Sequence, residues 1–305
     1  MLIISGTTEF ELDGEYAVTI GKFDGIHKGH RELLDRILVR KEKGLKTAVF
    51  TFDKSPAEVF LNKVIPALTT MEEKRDIFDF LGVDVLIEFP FNLQTAAISP
   101  EDFIKDILVK KVHSKYISVG ADASYGDKGK GDADLIKKLA DECRYECEIV
   151  DKIYIDGEEV SSTLIREYVK NGRMEKAQQL IGVPYAIRGT VVKGNQIGRT
   201  IGFPTVNIEV SREKLVPPFG VYFAEISLGG KHYNGITNVG IKPTVSNDDT
   251  VYAETNILDF NEDVYGKDVK VKLLHFERPE RKFNSIEELR NQISNDIRNG
   301  KEYFG

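Results

Sequence analysis

The sequence predicts two domains of different class, an α/β half built on a parallel sheet followed by an all-β half. Three observations carry this. The chain has 305 residues, more than one hydrophobic core usually organises. Up to Ile181, short apolar runs alternate with helical patterns, the signature of βαβ units. After Gly182-Val183-Pro184 the chain turns to short strand-like runs separated by Gly-rich turns, with no helical period until Ser285. The boundary is therefore placed between residues 182 and 183, giving domains 1–182 and 183–305.

Each element follows from its local pattern. Tyr16–Ile20 is an apolar strand, and Arg31–Arg40 places Leu33, Leu34, Ile37 and Leu38 on one helical face. Thr47–Phe52 is the next strand, and Glu72–Leu81 a helix with Ile77, Phe78 and Leu81 on one face. Val83–Phe89 is a strand. Ser99-Pro100-Glu101-Asp102 reads as an N-cap with Pro at the first helical position, opening a helix through Val109. Tyr116–Val119 and Glu146–Val150 complete the parallel set. Ser161–Lys170 and Glu175–Leu180 are helical. Six strands follow, Tyr185–Val192, Thr205–Ile208, Val221–Leu228, His232–Val239, Val251–Leu258 and Val269–Phe276, forming a small antiparallel barrel or sandwich. A capping box, Ser285-Ile286-Glu287-Glu288, starts a terminal helix carrying Ile286, Leu289, Ile293 and Ile297.

Composition narrows the function classes. With 42 basic and 49 acidic residues the net charge is −7, a surface that repels a phosphodiester backbone and argues against nucleic acid as a partner. No run approaches the ~18 apolar residues of a membrane span, and Met-Leu-Ile-Ile-Ser is no signal peptide, so a cytoplasmic protein away from membranes is expected. Cys143 and Cys147 lack the companions of a zinc site and read as free thiols.

The chemistry concentrates in Gly21-Lys22-Phe23-Asp24-Gly25-Ile26-His27-Lys28-Gly29-His30, between the first strand and its helix. Histidines at i and i+3 lie on one side of a helical turn. The helix start adds unpaired N–H donors and the positive end of the dipole, and Gly29 removes a Cβ from the approach. That combination is a polyphosphate site at the carboxyl end of a parallel sheet, where ligands of such sheets bind. No Gly-x-x-x-x-Gly-Lys-Ser/Thr loop is present, which excludes ordinary P-loop chemistry.

His27-Lys28-Gly29-His30, Leu68-Thr69-Thr70-Met71-Glu72-Glu73-Lys74, Gly120-Ala121-Asp122 and Ser161-Ser162-Thr163-Leu164-Ile165-Arg166 resemble, in that order, the adenylyltransferase half of the prokaryotic bifunctional riboflavin kinase/FMN adenylyltransferase (FAD synthetase) family. The resemblance implies a Rossmann-like HxGH nucleotidyltransferase domain. His27 and His30 would bind ATP phosphates beside Gly21, Phe23 and Gly29; Ser162, Thr163 and Arg166 would border the nucleotide; Asp122 and Tyr125 would seat the flavin. Two positions depart from the family pattern: Ser55 stands where it has a histidine, and Ala123 where it has an aromatic.

In the second half, Gly194–Thr200 has the texture of a phosphate loop, one residue short and with Arg199 for lysine. Pro204-Thr205-Val206-Asn207 offers a hydroxyl and an amide oxygen at period two, hard ligands suited to Mg²⁺ on a nucleotide. It resembles the riboflavin kinase motif of the same family, as do Gly220-Val221-Tyr222, Thr237-Asn238-Val239-Gly240, Pro243-Thr244 and Leu258-Asp259-Phe260. The resemblance implies a six-stranded antiparallel Greek-key barrel with a terminal helix, Gly194, Thr205 and Asn207 on Mg-ATP, and Glu254 as general base. Asn256 replaces a histidine common in the family. The expected substrates are riboflavin, FMN and ATP, the products FMN and FAD, and the metal Mg²⁺. Retention of only one activity and a flavin-binding regulator stay open as alternatives.

Overall fold

The computed structural model describes residues 1–193, 203–241 and 250–305 and divides into two compact units, Met1–Ser162 and Thr163–Gly305. Gly194, Gly202, Pro243 and Thr244 lie outside the described residues.

The first unit is a six-stranded, wholly parallel sheet in the order β1-β4-β3-β2-β5-β6. Its strands are β1 Leu2–Ser5, β2 Tyr16–Ile20, β3 Lys46–Phe52, β4 Val85–Phe89, β5 Ser114–Gly120 and β6 Glu146–Val150. The crossovers are α1 Lys28–Leu38, α2 Pro56–Leu61, α3 Met71–Phe80, α4 Pro100–Asp102, which continues as the π-helix Phe103–Lys111, and α5 Ala133–Cys143. Each face is covered. Leu33, Leu34 and Ile37 of α1 and Phe78 of α3 pack on Ala17, Val49, Leu86 and Tyr116. Ile104 and Leu108 of the π-helix, with Ile136 and Leu139 of α5, pack on Val18, Phe50, Ile87 and Ile117. Strands buried on both faces explain the unbroken apolar runs.

After β4 the chain crosses back to lay β5 on the other side of β2, so the sheet order reverses at β2. A crevice opens at such a switch point, at the carboxyl ends of the strands. The segments leaving β2, β3 and β5 all begin there.

Two short strands, β7 Tyr154–Ile155 and β8 Glu158–Glu159, form a hairpin whose turn residues Asp156 and Gly157 both have positive φ. The hairpin delivers the chain to Ser162, the first residue of α6 Ser162–Lys170.

The second unit adds α7 Met174–Ile181 and a closed barrel, β10-β13-β12-β11-β14-β9, antiparallel throughout. The strands are β9 Tyr185–Val192, β10 Val206–Glu209, β11 Gly220–Leu228, β12 Lys231–Ile241, β13 Val251–Ile257 and β14 Asp268–Pro279. Between β10 and β11 the chain skips two barrel positions, the Greek-key connection. The terminal helix α8, Ile286–Phe304, packs Ile297 and Phe304 on Val221, Phe223 and Ile236. The two units divide before α7, earlier than residue 182, because α7 packs on β9 and β14.

Candidate active sites

His27 is the N-cap of α1. Its Nδ1 accepts the backbone N–H of His30 at 3.3 Å, and the two rings stack at 3.7 Å and 18°. Gly29 makes this possible: a Cβ there would stand 3.2 Å from the His27 ring. The glycine clears space for the imidazole itself. Burial pushes the His27 pKa down to about 4 against the opposing pull of Asp24 and Asp122. Burial, then the charges of His27 and Lys74, hold His30 well below its ordinary value. Both imidazoles are neutral at pH 7. Since His27 Nδ1 accepts, its proton sits on Nε2 and is free to donate.

The loop before α1 is strained and braced. Phe23 and Ile26 have positive φ, uncommon for bulky residues. Asp24 Oδ1 accepts the N–H groups of Leu68 and Thr69 at 2.7 and 3.3 Å, and Gly25 N–H donates to Thr69 Oγ1 at 3.1 Å. Lys74 Nζ donates to the Lys22 carbonyl at 2.7 Å. The Leu68–Lys74 motif thus acts as a clamp on the histidine turn, with Thr70 and Glu73 closing a capping box on α3. Phe23 is fully buried against Phe78, 5.1 Å from the His30 ring, and a Cβ on Gly21 would stand 3.2 Å from the Phe23 ring.

Ser162 Oγ donates to the Asp24 carbonyl at 2.7 Å, bringing the start of α6 to this turn. Thr163 is exposed and Arg166 half-buried in the first turns of that helix, within the second unit. Asp122 is exposed just past β5, electrostatically coupled to His27; Gly120 leaves room for its carboxylate, 2.9 Å from where a Cβ would be.

Tyr125 and the two positions that depart from the family pattern each have partners within the fold. Tyr125 is buried against Phe103 and donates its hydroxyl to the Asp132 carbonyl at 3.1 Å, which fixes the loop after β5. Ser55 is the N-cap of α2 in a capping box with Glu58, so its hydroxyl is committed to the helix. Ala123 packs against the core. Sequence reasoning missed Phe60 and Phe91, an edge-to-face pair 6.5 Å apart near the carboxyl ends of β3 and β4, with Phe60 63% exposed. The signal was an exposed aromatic next to a short capped helix.

In the barrel, Asn207 pairs with Glu254 across β10–β13, and Glu254 with Asn238 across β13–β12. Ala253, Thr255 and Thr237 are buried while Glu254 and Asn238 are half-buried, so these two lie on the outer face, and Asn207, in register with Glu254, joins that row although it is itself buried. Thr205 precedes β10, and its carbonyl accepts from Asn207 Nδ2 at 3.5 Å. Asn256 Nδ2 donates to the Pro204 carbonyl at 2.8 Å, tying the Pro204–Asn207 segment to β13. No group of three or more His, Cys, Asp or Glu that could hold a metal occurs among the described residues.

One unit thus sets uncharged N–H donors at a helix start; the other sets a carboxylate in register with two asparagines. Such groups suit a two-domain transferase of phosphorus-containing groups, and the comparisons with known proteins point to the same class. A model of FAD synthetase matches residues 10–164, and one of riboflavin kinase matches residues 181–304. The bifunctional riboflavin kinase/FMN adenylyltransferase of Listeria monocytogenes is 38% identical, the alignment covering 98% of this chain and 95% of that one. The protein of that name from Bacillus subtilis is 36% identical, over 96% and 94%. A crystal structure described as a macrolide-efflux protein from Streptococcus pneumoniae superposes with a TM-score of 0.85 and 30% identity over 98% of both chains. Among the described residues no helix is long and apolar enough to cross a membrane. The chain belongs to the bifunctional riboflavin kinase/FMN adenylyltransferase family.

Proposed function

We propose that this chain makes both flavin cofactors in sequence, ATP phosphorylating riboflavin to FMN in the kinase half, residues 183–305, and a second ATP adenylylating FMN to FAD, with release of pyrophosphate, in the half spanning 1–182. The observation that carries this reading is the match of both families, in order, along one chain.

In the adenylyl half, His27 and His30 donate to the ATP phosphates together with the free N–H groups of α1. Neutral imidazoles suit this role, because they stabilise developing charge without competing for the proton. The FMN phosphate is already an anion at neutral pH, so the transfer needs positioning and no strong base. Asp122 seats the flavin, and the exposed Phe60–Phe91 pair supplies an aromatic wall that Ala123 does not. Ser162 borders the nucleotide and holds the turn at Asp24; for Thr163 and Arg166 the nucleotide role is the one the family resemblance implies.

In the barrel, Glu254 takes the proton of the ribityl hydroxyl as it attacks the γ-phosphorus. Thr205 and Asn207 are neutral oxygen donors, which fit a Mg²⁺ that keeps several waters and takes its anionic ligands from the nucleotide. When bound, the ion neutralises phosphate charge. We place the enzyme in the cytoplasm.

Incubation with riboflavin and Mg-ATP, with FMN, FAD, ADP and pyrophosphate resolved over time, tests the reading. FMN and ADP rise first, and FAD and pyrophosphate follow after a lag. No FAD from directly supplied FMN would reduce the chain to a kinase.

A further inference from the structure

Five buried side-chain atoms lack a hydrogen-bond partner among the described residues: Thr19 Oγ1, Thr51 Oγ1, Ser114 Oγ, Ser118 Oγ and His30 Nδ1. Ser114 lies at the amino end of its strand, Thr19, Thr51 and Ser118 lie toward the carboxyl ends of theirs, and His30 is in the first turn of α1. Such groups are rare in native proteins, and each calls for a partner.

Their placement follows from the βα unit. Thr19 lies two residues after Ala17, which packs on Leu34 and Ile37 of α1, so both face that helix. Ser118 is the register partner of Thr19 on β5. Helix α1 runs back over β2, which sets its first turn above the strand's carboxyl end. His30, Leu34 and Ile37 share one helical face at i, i+4 and i+7. That face turns His30 toward the side of the sheet to which Thr19 and Ser118 also turn, near the carboxyl ends of β2 and β5. Phe23 walls one side of the His30 ring at 5.1 Å and His27 another at 3.7 Å.

A neutral imidazole carries one N–H and one lone pair, and whichever nitrogen accepts fixes the other as donor. His27 has its answer in the backbone N–H it accepts. His30 does not: its Nδ1 is enclosed with no partner among the described residues, and the equally unpartnered hydroxyls of Thr19 and Ser118 turn to the same side of the sheet. An enclosed water between polar groups is the usual resolution.

We propose that Thr19 and Ser118 are positioning residues for His30, their hydroxyls acting through an enclosed water that donates to Nδ1 and so keeps the ring as its Nε2–H tautomer, aimed at the nucleotide phosphate. This deepens, and rests on, the reading of His30 as a phosphate donor. Two identical-looking histidines would then be set by different means, one by its own helix and the other by the sheet.

The test is the tautomer itself. The chain has five histidines, few enough to resolve in long-range ¹H–¹⁵N spectra of the full-length protein at pH 7.5. In the parent protein His30 shows an unprotonated Nδ1 and a protonated Nε2. In Thr19→Val and Ser118→Ala, singly and more so together, the His30 signals shift toward the Nδ1–H form. The kcat for FAD formation from FMN then falls about tenfold, the rate equivalent of one neutral hydrogen bond, with KM for FMN unchanged. Thr19→Ser retains both signals and rate, and riboflavin phosphorylation is unaltered in every variant. An unchanged tautomer in T19V/S118A, with the fold intact by that second activity, overturns the proposal. A shifted tautomer with undiminished FAD formation upholds the positioning and overturns the phosphate role of His30.

Discussion

His27 and His30 are bases held away from protons, and this has a consequence for stability. In the unfolded chain an imidazole titrates near 6.5, whereas His27 in the fold titrates at about 4. A depressed folded pKa means that the unfolded state binds the proton first. The stability is therefore complete above pH 6.5 and is lost as pH falls towards 4. The loss for His27 alone is about 2 kcal/mol between pH 7 and pH 5. Urea titrations at both pH values measure it, and His27→Asn, which keeps a cap acceptor, removes that increment of pH dependence. The histidine pair, the glycine between them and the helix start were all legible in the sequence, because their spacing is local. What Gly29 accommodates was not, since the His27 ring reaches it only through the cap geometry. Tyr125 and Ser55 show the same limit. The sequence places a tyrosine beside a predicted ligand loop and a serine at a departed motif position, but not the carbonyl acceptor or the capping box that holds each hydroxyl.

At the level of elements, the terminal helix is fastened by a charge pair that burial makes consequential. Asp296 is 3% exposed and accepts from Arg278 Nε and Nη2 at 2.9 and 2.6 Å and from Gln292 Nε2 at 2.6 Å. Removing Asp296 strands the Arg278 guanidinium at the β14–α8 contact. Asp296→Ala should lower barrel stability by about 3 kcal/mol, and Arg278→Met with Asp296→Leu should recover most of it; calorimetry of the three proteins checks this. The Ser285 N-cap made α8 readable, although the Glu288 carboxylate accepts from the Asn284 N–H and so does not close the expected box, and Ile286 of the expected apolar face is exposed; the Asp296 anchor joins residues from separate elements and left no local trace. Other elements escaped for reasons of length. Strand β1 is a four-residue edge strand without alternation, and α2 a six-residue helix whose large residues Phe60 and Leu61 face outward. Helix α5 could have been demanded by topology, because the parallel neighbours β5 and β6 require a crossover.

For the whole molecule, each unit has its own core, and each reaction reads residues from one family match: His27 and His30 in the first, Glu254 in the second. The reactions are linked by FMN, which leaves one as product and enters the other as substrate. Glu254→Gln should therefore lower FMN formation by about 10²-fold or more, the span of a lost general base, while FAD formation from supplied FMN stays at the parental rate. His30→Ala should do the reverse, losing about 10²-fold in adenylylation, the scale of one oxyanion-type donor, with riboflavin phosphorylation intact. Neither variant alone carries riboflavin to FAD at a useful rate. Mixed in equal amounts with riboflavin and Mg-ATP, they should produce FAD again, because each supplies the step the other lacks and FMN crosses through solution. The lag before FAD appears should lengthen on dilution, since free FMN must accumulate to the KM of the adenylyl site. Quenched time courses resolved by chromatography measure this. A mixture that accumulates FMN but makes no FAD would show that the adenylyl site takes only FMN delivered within one chain, and the independence of the two reactions would fall.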